Sequence, residues 1–114
     1  PYLIQTDHGP IVATPDSIEV IAFTFFQRRG LGTEQAIDLL KEQFDVLYEE
    51  GATTGMTMNI GLHPHVAGVP HRIRALRTFL AYAKSHADVW FPTRLELARW
   101  YRGQAATHIP EGMA

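Results

Sequence analysis

The chain has 114 residues, 46% of them hydrophobic and 19% charged, with Lys+Arg 10 against Asp+Glu 12 for a formal net charge of −2. Such a composition belongs to one globular domain, burying roughly two-thirds of its unfolded surface, and excludes a disordered chain. Its near-neutral balance lacks the basic excess of a phosphate-bound nucleic-acid partner, and the absence of cysteine excludes disulfides, thiolate metal sites and thiol nucleophiles. No apolar run approaches the ~20 residues of a membrane helix, and no charged-then-apolar leader opens the sequence. A cytoplasmic protein with no membrane and no nucleic-acid partner is expected.

Residues 1–32 read as an irregular N-terminal segment with short strands, punctuated by Gly9, Pro10, Pro15, Gly30 and Gly32. Ile11-Val12-Ala13 is a short apolar run. Ile18 to Phe26 is rich in β-branched and aromatic residues, and its length suits either a buried strand or a short helix. From Thr33 a helical period takes over. Ile37, Leu40, Phe44, Leu47 and Tyr48 form one stripe, and Gly51 is a natural stop, which predicts a helix over about 33–50.

Met56 to Leu62 reads as a buried strand, with Gly61 as a close-packing point. After the loop from His63 to Val69, Pro70 suits a first helical position because it lacks the N–H that would be unpaired there. Ile73, Leu76, Phe79, Leu80 and Ala83 then mark a helix to about His86. Val89-Trp90-Phe91 is a minimal strand. Thr93 stands three residues before Glu96, the capping-box spacing, and Leu97, Ala98 and Tyr101 give the inner face of a last helix to about Arg102. Residues 33–102 thus form a βα repeat region, and 103–114 a loose tail.

This alternation predicts an α/β fold with parallel strands. So few strands make a very small sheet, and parallel sheets need cover on both faces and at their edges. The chain therefore reads as part of a larger α/β unit, or as a subunit completed by a partner, most simply a homo-oligomer.

The most chemical stretch is Gly61-Leu62-His63-Pro64-His65-Val66-Ala67-Gly68-Val69-Pro70-His71. It holds three of the six histidines and directly follows a predicted strand, where α/β folds carry their sites. Pro64 biases His63 toward extended geometry, and an imidazole can pass a proton to a leaving group near neutral pH. A histidine in a Pro/Gly loop is equally an ordinary surface residue, and the pattern leaves both readings of His63 open. For His65 and His71 the surface reading is the better one. The three lack the i, i+4 spacing of a helical metal pair and have no carboxylate within the loop. Asp7-His8 reads as a turn, Glu49-Glu50 as a solvated helix end, and Arg72, Arg74 and Arg77 as a charged wet face. Trp90, Phe91, Trp100 and Tyr101 read as packing groups. Gly30-Leu31-Gly32 lacks the rest of a phosphate loop. Pro1 as a catalytic amine would call for two similar β-α-β halves, into which residues 33–102 do not divide.

The run from Gly61 to Leu76 resembles the polysaccharide deacetylase (NodB-type) superfamily, in its allantoinase-like and peptidoglycan-deacetylase-like branch. Phe79-Leu80, Asp88-Val89-Trp90-Phe91-Pro92-Thr93 and Leu95-Glu96-Leu97-Ala98 continue the likeness, as do Leu47-Tyr48-Glu49-Glu50-Gly51 and Pro1-Tyr2. The resemblance implies a distorted β/α barrel; with the element pattern above, the chain is expected to form a partial (β/α) barrel-like unit, short parallel strands covered by three helices, completed by self-association. The resemblance also implies hydrolysis of amide-type C–N bonds with a divalent, zinc-like metal. Under it His63 matches the late histidine that protonates the leaving amine, and Tyr2 matches the groove-lining Pro-Tyr motif; on the hydrolase reading His65 is expected near the substrate groove as well.

The family's Asp-Asp base-and-ligand motif and its His-x-x-x-His ligand pair have no counterpart in this sequence. No cofactor is therefore expected on the chain by itself. Gly61 departs from the usual Leu-x-His, and Ile21-Ala22 stands where relatives often have Asn-Asp. Without a metal the attacking water keeps a pKa near that of bulk water, so the chain alone should be a very poor hydrolase. Two readings follow: the C-terminal portion of a deacetylase-like hydrolase, to which a complementary N-terminal half could restore the missing motifs, or a non-catalytic self-associating α/β module. Metal capture by His63, His65 and His71 is a third.

Overall fold

The computed structural model describes residues 1–105. Its elements in chain order are β1 (Tyr2–Ile4), β2 (Ile11–Ala13), a 3-10 turn (Ile18–Val20), a π-helical segment (Phe23–Arg28), then α1 (Thr33–Gly51), α2 (Pro64–Ala67), α3 (Pro70–Lys84) and α4 (Arg94–Gln104). They form two compact units, one of residues 16–89 and one of residues 1–15 with those from Trp90 onward.

The larger unit is built on α1 and α3. Ala36, Ile37, Leu40 and Phe44 of α1 pack with Ala75, Leu76, Phe79 and Ala83 of α3, which is the pair of stripes the sequence predicts with Leu80 turned out to solvent. Val20, Ala22, Phe25, Phe26, Val66 and Ala67 close the same core. Each boundary has a local cause. Gln35 Oε1 accepts from the Gly32 N–H at 2.9 Å to start α1, and Pro70 occupies the first turn of α3 as expected. At the surface Arg74 pairs with Glu34 at 2.7 Å, an exposed bridge of little energetic weight.

Two predicted strands are corrected. Met56–Leu62 forms no ladder: its backbone makes one parallel bridge, Ile21 to Gly61, in which Ala22 N–H donates to the Gly61 carbonyl at 2.7 Å. Its side chains nevertheless behave as a strand's would, since Met58 and Ile60 pack on the core. Val89–Phe91 forms no strand, although Val89 also packs on that core. Apolar patterning specifies which side chains go inward, but a parallel ladder additionally needs neighbouring backbone. Among the described residues only the Ile21 segment supplies any. The ambiguous run Ile18–Phe26 resolves as helical turns of two unusual kinds, with a five-residue bond from Arg29 N–H to the Thr24 carbonyl at 2.9 Å.

The smaller unit carries the sheet, which is antiparallel rather than parallel. β1 pairs with β2 in the register Tyr2↔Ala13, Leu3↔Val12 and Ile4↔Ile11. The connection turns at Thr6 to Gly9, confirming a turn at Asp7-His8. Gly9 N–H donates to the Thr6 carbonyl at 3.0 Å, and Gly9 sits at φ +102°, where a side chain would be strained. Helix α4 packs on β2, and Arg94 reaches the Thr14 carbonyl at 2.7 Å. Thr93 caps α4 through the predicted box: Glu96 N–H donates to Thr93 Oγ1 at 3.2 Å, and Thr93 N–H donates to Glu96 Oε2 at 2.7 Å. Leu97, Ala98 and Tyr101 are its half-buried residues, as the sequence indicates. Of the expected loose tail, residues 106–114 lie outside the described residues.

Candidate functional site

The Ile21–Gly61 bridge fixes the chain two residues before His63. A Cβ on Gly61 would come within 3.1 Å of Ile21 Cγ1, so the glycine permits the close approach read from the sequence. His63 itself is extended, at φ −117° and ψ 111°, which is the geometry Pro64 favours. From there the chain enters α2, a single turn whose first N–H groups return to the His63 carbonyl, Val66 at 2.9 Å and Ala67 at 2.8 Å. Gly68 ends it. A side chain there would put Cβ 2.4 Å from the Pro64 carbonyl oxygen.

The His63 ring is half-buried. Its Nδ1 is shielded from water and has no hydrogen-bond partner among the described residues. Buried ring nitrogens are normally paired, so this atom is what distinguishes His63 from the other loop histidines. Phe23 of the π-helical segment stands against the ring, with centroids 5.7 Å apart, and His65 meets it edge-on at 6.1 Å. Arg28 lies over the far ring, its guanidinium carbon 5.6 Å from the Phe23 centroid. The loop thus brings His63 and His65 together. His71 is exposed on the first turn of α3, where its carbonyl accepts from Thr33 Oγ1 at 3.0 Å. Tyr2 belongs to the smaller unit, paired with Ala13 and 52% exposed.

No group of three or more His, Asp or Glu side chains among the described residues could hold a metal ion. The residues present therefore do not fit the divalent metal that the family resemblance implies, and three-histidine capture fails with it. A shallow open cleft elsewhere is lined by Arg29, Leu31, Gln35, Asp38, Leu39 and Glu42. The arginines of α3 are structural or wet: Arg72 donates to the Val66 carbonyl at 3.2 Å and covers Phe26, while Arg74 holds Glu34. No helix among the described residues is long and apolar enough to cross a membrane.

One cluster escaped the sequence reading. His86 meets Phe44, Tyr48 and Tyr82 with ring centroids 4.6–5.0 Å away, and its Nδ1 lies 2.8 Å from the Tyr82 carbonyl. Tyr82 and His86, like Phe44 and Tyr48, are four residues apart, the spacing that stacks side chains on one helix face. That spacing is the signal in the sequence. The Tyr82 hydroxyl donates to Asp45 Oδ1 at 2.5 Å, which together with burial and the carboxylate's charge raises the phenol above its ordinary range.

The chain is 40% identical over 97 residues to a Schizosaccharomyces pombe protein named "Putative polysaccharide deacetylase", a match covering 83% of this chain and 30% of that one. It superposes with a TM-score of 0.81 on the crystal structure of a "probable Polysaccharide deacetylase" from Pseudomonas aeruginosa, at 41% identity, over 89% of this chain and 35% of that one. On the crystal structure of the PuuE allantoinase the TM-score is 0.82 at 37% identity, covering 94% and 35% of the two chains. No family model matches the sequence. The chain is thus homologous to the polysaccharide deacetylases and allantoinase, and it spans about a third of the length of these relatives.

Proposed function

We propose that this chain is the C-terminal portion of a polysaccharide deacetylase-like hydrolase of amide-type C–N bonds, and that it supplies the general acid. The observation that carries this reading is His63. The ring stands beyond the Met56–Leu62 segment with Nδ1 shielded and unpaired among the described residues. An amine leaves a tetrahedral intermediate readily only after its nitrogen is protonated, and an imidazolium can deliver that proton at neutral pH. His65, perpendicular to His63, lies beside the substrate, and Tyr2, in the smaller unit, is a substrate-binding candidate by its match to the Pro-Tyr motif. Among the described residues no ligand set for a metal is present, so the metal and the nucleophile it activates come from a complementary segment that carries the carboxylate and histidine motifs. The substrate is an amide on a sugar, a ureide or a cyclic imide.

Hydrolysis of N-acetylated sugar oligomers and of allantoin tests the reading, with a divalent metal added and the chain combined with the complementary segment of a relative. Turnover should require that segment and fall by about 10²–10⁴-fold in His63→Ala. Unchanged turnover in His63→Ala would overturn it.

A second reading, a self-associating module without catalysis, has one observation in its favour. Met58 and Ile60 pack inward, yet among the described residues the Met56–Leu62 segment makes its one backbone bridge at Gly61, which leaves a strand-like edge for another copy. Light scattering distinguishes a monomer from such an assembly.

A further inference from the structure

The π-helical segment at Phe23–Arg28 builds something that the general-acid reading of His63 does not use. In an α-helix residues five apart point about 140° away from one another. Here the wider turn, closed by the Arg29 N–H to Thr24 carbonyl bond, swings Arg28 over the Phe23 ring on one face. The order across the surface is guanidinium, phenyl ring, His63 imidazole, His65 imidazole, each in ring contact with the next. Single π-helical turns inside helical segments are rare and concentrate at functional sites.

The two adjacent arginines differ in their surroundings. Arg29 lines the cleft that also contains Asp38 and Glu42. Arg28 does not line that cleft; it is exposed and lies over the Phe23 ring. A guanidinium presents a planar fork of N–H donors that binds a carboxylate through two parallel hydrogen bonds, and that of Arg28, 5.6 Å from the Phe23 centroid, is exposed to solvent.

We propose that Arg28, held over Phe23 one ring away from His63, is a specificity-determining residue that recognises a carboxylate on the C–N substrate. It selects acidic amides or ureides over neutral ones. This proposal rests on the assignment of His63 to the reaction site, but its test does not depend on turnover.

N-acetylglycine and its neutral analogue N-acetylglycinamide differ only at the carboxylate. Each is titrated into the chain while the Phe23 ring signals and the His63 imidazole nitrogens are followed by NMR. The carboxylate probe should bind about tenfold more tightly than the amide probe and move both sets of signals. Arg28→Gln should abolish that preference, and Arg28→Lys should keep part of it, since an ammonium retains the charge without the fork. Equal binding of the two probes, no binding of either, or a preference that survives Arg28→Gln overturns the proposal. In His63→Ala the preference should persist at Phe23. A failure of the general-acid reading, seen as unchanged turnover in that variant, is thereby separated from a failure of carboxylate recognition.

Discussion

Ala22 and Gly61 are joined by one backbone hydrogen bond of 2.7 Å, and that bond anchors the segment leading to His63. The neighbouring Ile21 side chain occupies the space where a Gly61 Cβ would point, 3.1 Å from its Cγ1. Gly61→Val should therefore push the two segments apart and destabilise the larger unit by about 1–3 kcal/mol, with Gly61→Ala milder. Urea unfolding should show a lower midpoint at unchanged slope. A Gly61→Val protein as stable as the parent would mean that the bridge contributes nothing.

The same pair shows what the sequence could and could not convey. The helical stripes of α1 and α3, the proline starting α3 and the capping box of α4 were all legible, because each depends on residues within a few positions of one another. Of the run read as a buried strand, Met58 and Ile60 pack inward, while Met56 and Leu62 at its ends are exposed. Their strand was not formed, because ladder bonds depend on backbone from elsewhere, and the pattern of one segment carries no information about its neighbour. The geometry around His63 was half legible. Its position after an apolar run and before Pro64 was readable, whereas the Phe23 and Arg28 contacts arise from a π-helical turn that has no signature in hydrophobic period.

Phe44 is the hinge between the core and the aromatic cluster. It is buried and meets Tyr48, Phe79, Tyr82 and His86 with ring centroids between 4.9 and 6.0 Å. Phe44→Ala should cost about 3–5 kcal/mol, and Phe44→Leu distinctly less because most of the volume is kept. Thermal and urea unfolding measure both. Near-equal losses would show that ring contacts, rather than volume, dominate the site.

Tyr82 links α3 to α1 by donating to Asp45, and its phenol is raised above the ordinary value by that bond first, then by burial and by the charge of Asp45. A folded-state pKa above the unfolded one gives stability that is present below the unfolded value and lost as pH rises through the folded one. The chain should therefore lose stability in strongly alkaline solution, and Tyr82→Phe should weaken that dependence. Tyrosinate absorbance should show one phenol ionising later than the rest, and Asp45→Asn should bring it forward. If Asp45→Asn leaves the titration unmoved, the bond does not set the shift.

At α4 the capping box works in the opposite direction of pH. Thr93 donates to the Glu96 carboxylate from its backbone N–H at 2.7 Å and from its hydroxyl at 2.8 Å, and these bonds, in that order, hold Glu96 below the usual carboxylate range with Arg99 adding to them. A depressed pKa gives stability that is present above the unfolded value and lost as pH falls through the folded one. Thr93→Ala removes the acceptor for the Glu96 N–H and should cost about 1 kcal/mol at neutral pH. Glu96→Gln should instead flatten the acid limb of the stability profile while the helix still starts at Arg94. Helicity followed by circular dichroism from neutral to acid pH distinguishes the two. An acid limb unchanged in Glu96→Gln would show that the loss of structure in acid belongs to other carboxylates.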